Sequence, residues 1–243
     1  MSRIYDILAP VLGVGGGVAL LVLIVLLLLG PYRKFWVFLL YVSWELIATV
    51  GLTLADLFLH GTSGPASVDP DASRLYSRMY WTNDVIEDLL RFAVVTVLIY
   101  QVVGAGRPKL GRLLGGLFLA MMVLPFLLFH PTFQPYPHVP WFNSTSQLLN
   151  FGAAIMNVIL WGALIQTKNR DPQIIELTIG LGVLVTGTAV SYGMRHFSTA
   201  HTDLTALLNL LLNLIQLAAS LIWCRAFWPA PKNKSLDTAV PSP

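Results

Sequence analysis

Long apolar stretches alternate with short polar segments along the whole chain, and most charged residues lie in the polar segments. A membrane-spanning helix needs about 20 mostly apolar residues to cross about 30 Å of hydrocarbon. Seven stretches meet this requirement, and the first contains no charged residue from Ile7 to Gly30. The predicted spans lie near residues 8–30, 35–58, 79–103, 110–130, 145–167, 173–195 and 203–227.

These stretches predict an all-α integral membrane protein, a bundle of seven transmembrane helices formed by one domain over residues 1–228. Helices are favoured over a β-barrel because each stretch is continuously apolar, whereas barrel strands alternate between apolar and polar positions. Residues 229–243 are polar and rich in proline, which predicts a disordered tail. We expect a multi-pass protein of the cell membrane, in direct contact with lipid.

Composition excludes several classes of protein. Charged residues make up 11% of the 243 residues, less than half of the roughly 25% typical of soluble domains. Together with a mean hydropathy of +0.70, this excludes a soluble enzyme and a nucleic-acid-binding protein. The pI is near 9.1, but the net charge is only +3, so the position of the basic residues is more informative than their number.

Lysine and arginine are distributed unequally between the two sides of the predicted bundle. The segments after spans 1, 3, 5 and 7 contain ten of them, including every lysine, whereas the opposite side contains four. Cytoplasmic loops of membrane proteins carry the excess of these residues. The sequence therefore predicts an N-terminus outside the cytoplasm and a C-terminus inside it.

The third span carries charged side chains at membrane depth. Asp84, Glu87, Asp88 and Arg91 fall within an arc of about 100° on one helical face. A charge at the centre of a membrane helix costs about 2.5–3.5 kcal/mol, so such residues usually face a protein interior or a solute pathway. We therefore expect this face to point into the bundle.

The second span presents a matching polar face with Glu45, Thr49 and Asp56. Because the second and third spans run in opposite directions, the rise of the helix places Glu45 and Arg91 at a similar depth. We predict a buried Glu45–Arg91 ion pair between the spans, together with a Glu87–Arg91 pair one turn apart on span 3.

Acids outnumber bases in this predicted interior. Arg91 is the single base, and the five acids are Glu45, Asp56, Asp84, Glu87 and Asp88. The acids that Arg91 does not neutralise must be hydrated, hold a cation or stay protonated. In the alternative arrangement, the span 3 acids lie solvated at the outer interface and only Glu45 and Arg91 are buried, as a structural ion pair.

Amide and hydroxyl side chains form similar polar faces on other spans. They are Asn209, Asn213, Gln216 and Ser220 in span 7, Asn150 and Asn157 in span 5, and Tyr192 in span 6. A hydrogen bond between helices, about 0.6 kcal/mol on average, explains any one of them. Polar faces on five helices predict a shared polar interior that is widest toward the outside.

Glycine spacing predicts helix contacts rather than a nucleotide site. Gly13 and Gly17, and likewise Gly111 and Gly115, are four residues apart, a spacing that lets membrane helices approach closely. The glycines between residues 13 and 17 lie inside an apolar span with no preceding strand, so they do not form a phosphate-binding loop.

All five histidines lie at the outer ends of spans or in outer loops. His60, His196 and His201, with Asp203 nearby, are weak candidates for a Zn²⁺ site because imidazole and carboxylate groups bind zinc. Their spacing matches no zinc motif. No other cofactor is predicted.

The leading hypothesis is a polar, net-acidic cavity, open to the outside, that binds or transports a cation, a proton or a small cationic solute. Asp56, Asp84, Glu87 and Asp88 attract the ligand in this hypothesis, Asn150, Asn209, Asn213 and Tyr192 orient it, and Glu45–Arg91 closes the inner half.

Two other functions remain open. One is a receptor-like sensor or assembly subunit that signals through a separate cytoplasmic protein. The other is a metal-dependent membrane hydrolase that uses the outer histidines, although the sequence favours a protein that is not an enzyme.

Overall fold

The computed structural model describes residues 2–60, 70–103, 108–128, 141–168, 171–195 and 202–229. Within these ranges the chain forms seven helices and no strand, which confirms the all-α prediction. The helices are α1 Ser2–Leu29, α2 Trp36–His60, α3 Pro70–Val103, α4 Pro108–Leu128, α5 Trp141–Thr167, α6 Pro172–Arg195 and α7 Thr202–Phe227. Three begin at a proline, whose fixed φ and missing N–H suit the first helical position.

Five of these helices are long and apolar enough to cross a membrane, by length and composition. The qualifying stretches are Pro10–Leu29, Trp36–Ala55, Thr145–Thr167, Pro172–Ser191 and Leu207–Phe227. Helix α3 carries the charged residues discussed above, and the described apolar part of α4 is shorter, Gly111–Met121. The fold is thus consistent with a helical membrane protein, while the count of seven spans and their orientation stay predictions.

The third helix begins earlier than its apolar stretch. The sequence predicts the third span from residue 79 and an outer loop over 59–78, but α3 starts at Pro70. Its first turns contain polar residues, and a helix outside the hydrocarbon needs no apolar run. Pro70 occupies the first helical position, where its ring suits the start of a helix.

Helices α2 and α3 run in opposite directions. Tyr41 of α2 lies near Arg91 of α3, while Trp44 bonds to Asn83, so the two helices are antiparallel. Helix α3 packs against α2, α4, α5 and α6, and α7 packs against α1 and α6. This arrangement encloses α3 and brings its polar face against three neighbours, α2, α5 and α6.

The surface of the bundle is apolar, as expected for contact with lipid. Leu29 is 84% exposed, Ile165 75% and Val158 70%, and large exposed apolar surfaces are rare on soluble monomers. Several polar side chains are buried instead, including Thr178 and Ser191. Polar groups inside and apolar groups outside are the distribution that a lipid surrounding favours.

The glycine spacing prediction is wrong for most of its residues. Side chains added at Gly13, Gly17 or Gly115 would meet no atom within 4 Å, and only Gly111 approaches a neighbour, the ring of Tyr100 at 3.1 Å. The close approach lies instead between α6 and α7. There a Cβ at Gly180 would overlap the indole ring of Trp223.

Candidate functional site

Arg91 lies at the centre of a buried polar cluster on α3. Its Nη1 donates to Asp88 Oδ1 at 2.8 Å, and its Nη2 forms an ion pair with Glu87. Asp88 is 1% exposed and Arg91 6%. The three residues come together because positions three and four apart on a helix lie on the same face. The alternative with solvated Asp88 is therefore wrong, since this carboxylate is enclosed by protein.

The second oxygen of Asp88 is held by α5. Asn150 Nδ2 donates to Asp88 Oδ2 at 2.9 Å, and the Ser146 hydroxyl also bonds to that oxygen. Asn150 in turn accepts from Thr188 of α6, with 3.3 Å between Thr188 Oγ1 and Asn150 Oδ1. Both oxygens of Asp88 are thus satisfied, which is the condition under which a buried carboxylate is tolerated.

Ser146 joins two carboxyl groups. Its Oγ lies 2.6 Å from Asp84 Oδ2 and also within hydrogen-bond reach of Asp88 Oδ2. A hydroxyl group has one hydrogen to donate and otherwise accepts. Ser146 therefore links Asp84 to Asp88 and can donate its hydrogen to one of them at a time.

The predicted Glu45–Arg91 ion pair is not formed. Arg91 directs its Nε to the Tyr41 hydroxyl at 3.3 Å, and its ion pairs are with Glu87 and Asp88. Glu45 Oε1 accepts instead from Gln216 of α7, while Glu45 Oε2 is buried without a hydrogen-bond partner. Tyr41 lies one helical turn before Glu45 and interacts electrostatically with both Glu45 and Arg91.

Carboxylates outnumber the base in this cluster. Glu45, Glu87 and Asp88 interact electrostatically with Arg91, so full ionisation leaves two negative charges uncompensated. Glu45 is 2% exposed, and an uncompensated charge in that position carries a desolvation penalty of several kcal/mol. The cluster can therefore hold a proton or another positive charge.

Two amide side chains of α7 line a cavity that is separate from the acids of α3. Asn213 and Gln216 line a cavity of about 340 Å³ between α1, α2, α3 and α7. Asp84, Glu87 and Asp88 do not line it, so the predicted shared polar interior is divided into two parts. Gln216 connects them, because it lines the cavity and also bonds to Glu45.

Several predicted site residues fall outside what is described. The side chains of Asp56, Tyr192, His60 and Asp203, and the whole of His196 and His201, belong to this group. Asn209 is half-buried on α7. In the part of the chain that the structure describes, no group of three or more His, Cys, Asp or Glu residues is placed to hold a metal ion.

Sequence reasoning missed Ser146 and Tyr41 as members of the cluster. Each lies one helical turn before a predicted polar residue, Ser146 before Asn150 and Tyr41 before Glu45. The i, i+4 spacing was therefore the available signal. A single serine or tyrosine in an apolar helix has only a small energetic cost, so neither residue by itself predicts a polar site.

Comparison with models of known protein families, with curated proteins and with solved structures finds no match. The geometry of the cluster and the cavity is therefore the basis for assigning a function.

Proposed function

We propose that this protein is a multi-pass membrane protein that takes up and moves a proton or a small cation at the cluster of Glu45, Glu87, Asp88 and Arg91. The observation that carries the proposal is the excess of three carboxylates, buried Glu45 and Asp88 and partly buried Glu87, over one guanidinium among the described residues. A purely structural ion pair needs one acid for each base. Two further acids at this depth are costly unless they serve binding.

Within this proposal the carboxylates have different roles. Asp88 has all its oxygens satisfied by Arg91, Ser146 and Asn150, so it fixes the guanidinium and stays in place. Glu45 has one oxygen without a partner. That oxygen is the position at which a proton or cation binds with the least disturbance of the existing hydrogen bonds.

The hydrogen bond from Gln216 connects Glu45, where the proton or cation binds, to the cavity. Gln216 is half-buried and lines the cavity, and its amide donates to Glu45 Oε1. When Glu45 gains a proton, its attraction for this amide weakens, because hydrogen bonds to an ionised acceptor are the stronger ones. Protonation of Glu45 therefore loosens the cavity wall.

The proposal includes seven spans with the N-terminus outside the cytoplasm. The antiparallel packing of α2 and α3 supports it, as does the burial of Asp88 and Arg91 on α3. The excess of lysine and arginine after the odd-numbered spans supports the orientation. Reporter fusions at each terminus, assayed for exposure to the cytoplasm, test both points.

Proton uptake into proteoliposomes tests the function. The purified protein is reconstituted with an enclosed pH-sensitive dye, a pH gradient is imposed, and the rate of dye response is compared with that of empty vesicles. We expect the wild type to conduct protons or to exchange them for a cation in the buffer. Glu45→Gln should lower the rate by about tenfold or more, because the amide cannot ionise.

Glu176→Gln is the matched control. Glu176 is a partly buried acid that pairs with Arg225 of α7 at 3.4 Å and lies outside the cluster. It should leave the uptake rate unchanged. Equal rates for the wild type, Glu45→Gln and Asp88→Asn, in folded protein, would exclude the proposed function.

A further inference from the structure

The cavity between α1, α2, α3 and α7 is kept open by glycine. Gly13, Gly16 and Gly17 form its α1 wall. A Cβ added at any of these glycines would meet no atom within 4 Å. The glycines therefore leave space rather than permit helix contact. A Cβ added at Gly15 on the same helix would lie 3.9 Å from Leu217 of α7, an ordinary van der Waals distance.

The polar half of the cavity offers hydrogen-bond acceptors. The Thr49 hydroxyl donates to the backbone oxygen of Glu45 at 2.8 Å, and the Thr53 hydroxyl donates to that of Thr49 at 2.7 Å. With their hydrogens engaged, both hydroxyls are left with oxygen lone pairs that accept. A ligand that fits these groups is a hydrogen-bond donor.

Gln216 adds a third acceptor. Its Nε2 donates to the Glu45 carboxylate, which orients the side chain and leaves the amide oxygen able to accept. Asn213, one turn earlier on the same face of α7, lines the cavity as well. Tyr76 and Tyr80 contribute aromatic rings, and aromatic faces attract cations.

The charge near the cavity is negative. Among the side chains that the structure describes, those that line it include no lysine or arginine. Glu45, which lies one turn from Thr49 and is bonded to Gln216, is 2% exposed and has one oxygen without a partner. In a low-dielectric interior this charge acts over a longer distance than it would in water.

We propose that the cavity binds a small organic ammonium ion, with its N–H groups on the acceptor oxygens and its alkyl part against the leucines of the wall. The leucines are Leu12, Leu20 and Leu52. The volume of about 340 Å³ lies at the small end of ligand pockets, which range from about 300 to 1,000 Å³. This inference rests on the proposed function in that it requires an ionised Glu45.

Binding of radiolabelled n-butylammonium to the purified full-length protein in detergent tests the inference, with n-butanol as the uncharged competitor. We expect saturable binding that n-butanol does not displace. Gly16→Leu should weaken binding by about tenfold or more, because it fills the ligand volume. Its added Cβ meets no atom, so the variant should fold.

Gly116→Leu is the matched control for that substitution. Gly116 lies on α4, also has open space around an added Cβ, and does not line the cavity. It should bind n-butylammonium like the wild type. Glu45→Gln should weaken binding by about tenfold or more, since it removes the counter-charge.

Three outcomes would overturn the inference: no saturable binding to folded protein, equal binding by Gly16→Leu and the wild type, or displacement by n-butanol. The experiments distinguish failure of the ammonium site from failure of the proposed function. Proton uptake that depends on Glu45 without any n-butylammonium binding overturns the ammonium site alone. Binding that is lost in Gly16→Leu, with no proton uptake by the wild type, overturns the proposed function alone.

Discussion

Arg91 and Asp88, three residues apart on α3, form an ion pair in which Arg91 Nη1 donates to Asp88 Oδ1 at 2.8 Å, with both side chains buried. The pair lies on a single helix, so it does not by itself join α3 to another helix. Asp88 joins α3 to α5 through Ser146 and Asn150, and Arg91 joins it to α2 through the Tyr41 hydroxyl.

Removal of the guanidinium should destabilise the protein strongly. Arg91→Met leaves the buried Asp88 without its counter-charge, and breaking a buried ion pair costs about 3–5 kcal/mol. Unfolding in mixed detergent micelles, followed by circular dichroism, measures the effect. Arg225→Met is the control. Arg225 is 83% exposed in its pair with Glu176, and exposed pairs contribute about 0–1 kcal/mol. Equal losses in the two variants would contradict a buried charge cluster.

The two asparagines of α5 should differ in their contribution to stability. Asn150 bonds to Asp88 and Thr188, so Asn150→Ala removes two buried hydrogen bonds, one of them to a carboxylate, and costs about 1–3 kcal/mol. Asn157 is buried too, but its Oδ1 has no partner. Asn157→Leu removes an unsatisfied group, so we expect a neutral or stabilising effect. Similar destabilisation by both, in the same unfolding assay, would show that Asn157 has a partner after all.

Much of the fold follows from the sequence because lipid leaves the backbone few choices. Long apolar runs must satisfy their own N–H and C=O groups, which favours helices. The start of α3 at Pro70 was not predicted because the first turns of this helix are polar and carry no apolar signal. Ends of helices are therefore least predictable where they leave the hydrocarbon.

The polar face of α3 was predictable, but the partner of Arg91 was not. Periodicity places Glu87, Asp88 and Arg91 together, whereas the depth argument for Glu45 treats the helices as straight rods. Residues three and four apart on one helix have Cβ atoms about 5–6 Å apart, so Glu87 and Asp88 are within reach of Arg91 however the helices pack. Arg91 therefore pairs within its own helix, and Tyr41 lies between it and Glu45.

Close packing of α6 on α7 should make Gly180 intolerant of any side chain. Trp223 lies over Gly180, and its Nε1 donates to the backbone oxygen of Leu177 at 3.2 Å. Gly180→Ala must displace this buried indole, and overpacking of this kind costs about 1–3 kcal/mol. Thermal unfolding in detergent measures the loss. Gly193→Ala on the same helix has open space around the new methyl group and should unfold like the wild type. Unchanged stability of Gly180→Ala would mean that α6 and α7 are farther apart.

The last prediction concerns the turn that precedes α6. Asp171 accepts from the N–H of Gln173 at 3.0 Å, as expected of a residue that caps a helix, and it pairs with Lys34 of the turn between α1 and α2. Partial burial alone would raise the pKa of Asp171, but the hydrogen bond and charge of Lys34 and the bond from Gln173 lower it below its usual value.

This lowered pKa sets the direction of a pH effect. A carboxyl with a lower pKa in the folded state contributes stability above its unfolded pKa, near 4, and loses it as the pH falls through the folded pKa. The difference in unfolding temperature between the wild type and Asp171→Asn should therefore be largest near neutral pH and shrink in acid. Asp171→Asn keeps the cap and loses the charge, whereas Asp171→Ala loses both and should cost about 1 kcal/mol more. If the difference between the wild type and Asp171→Asn grew as the pH fell, Lys34 would not be stabilising the ionised carboxylate.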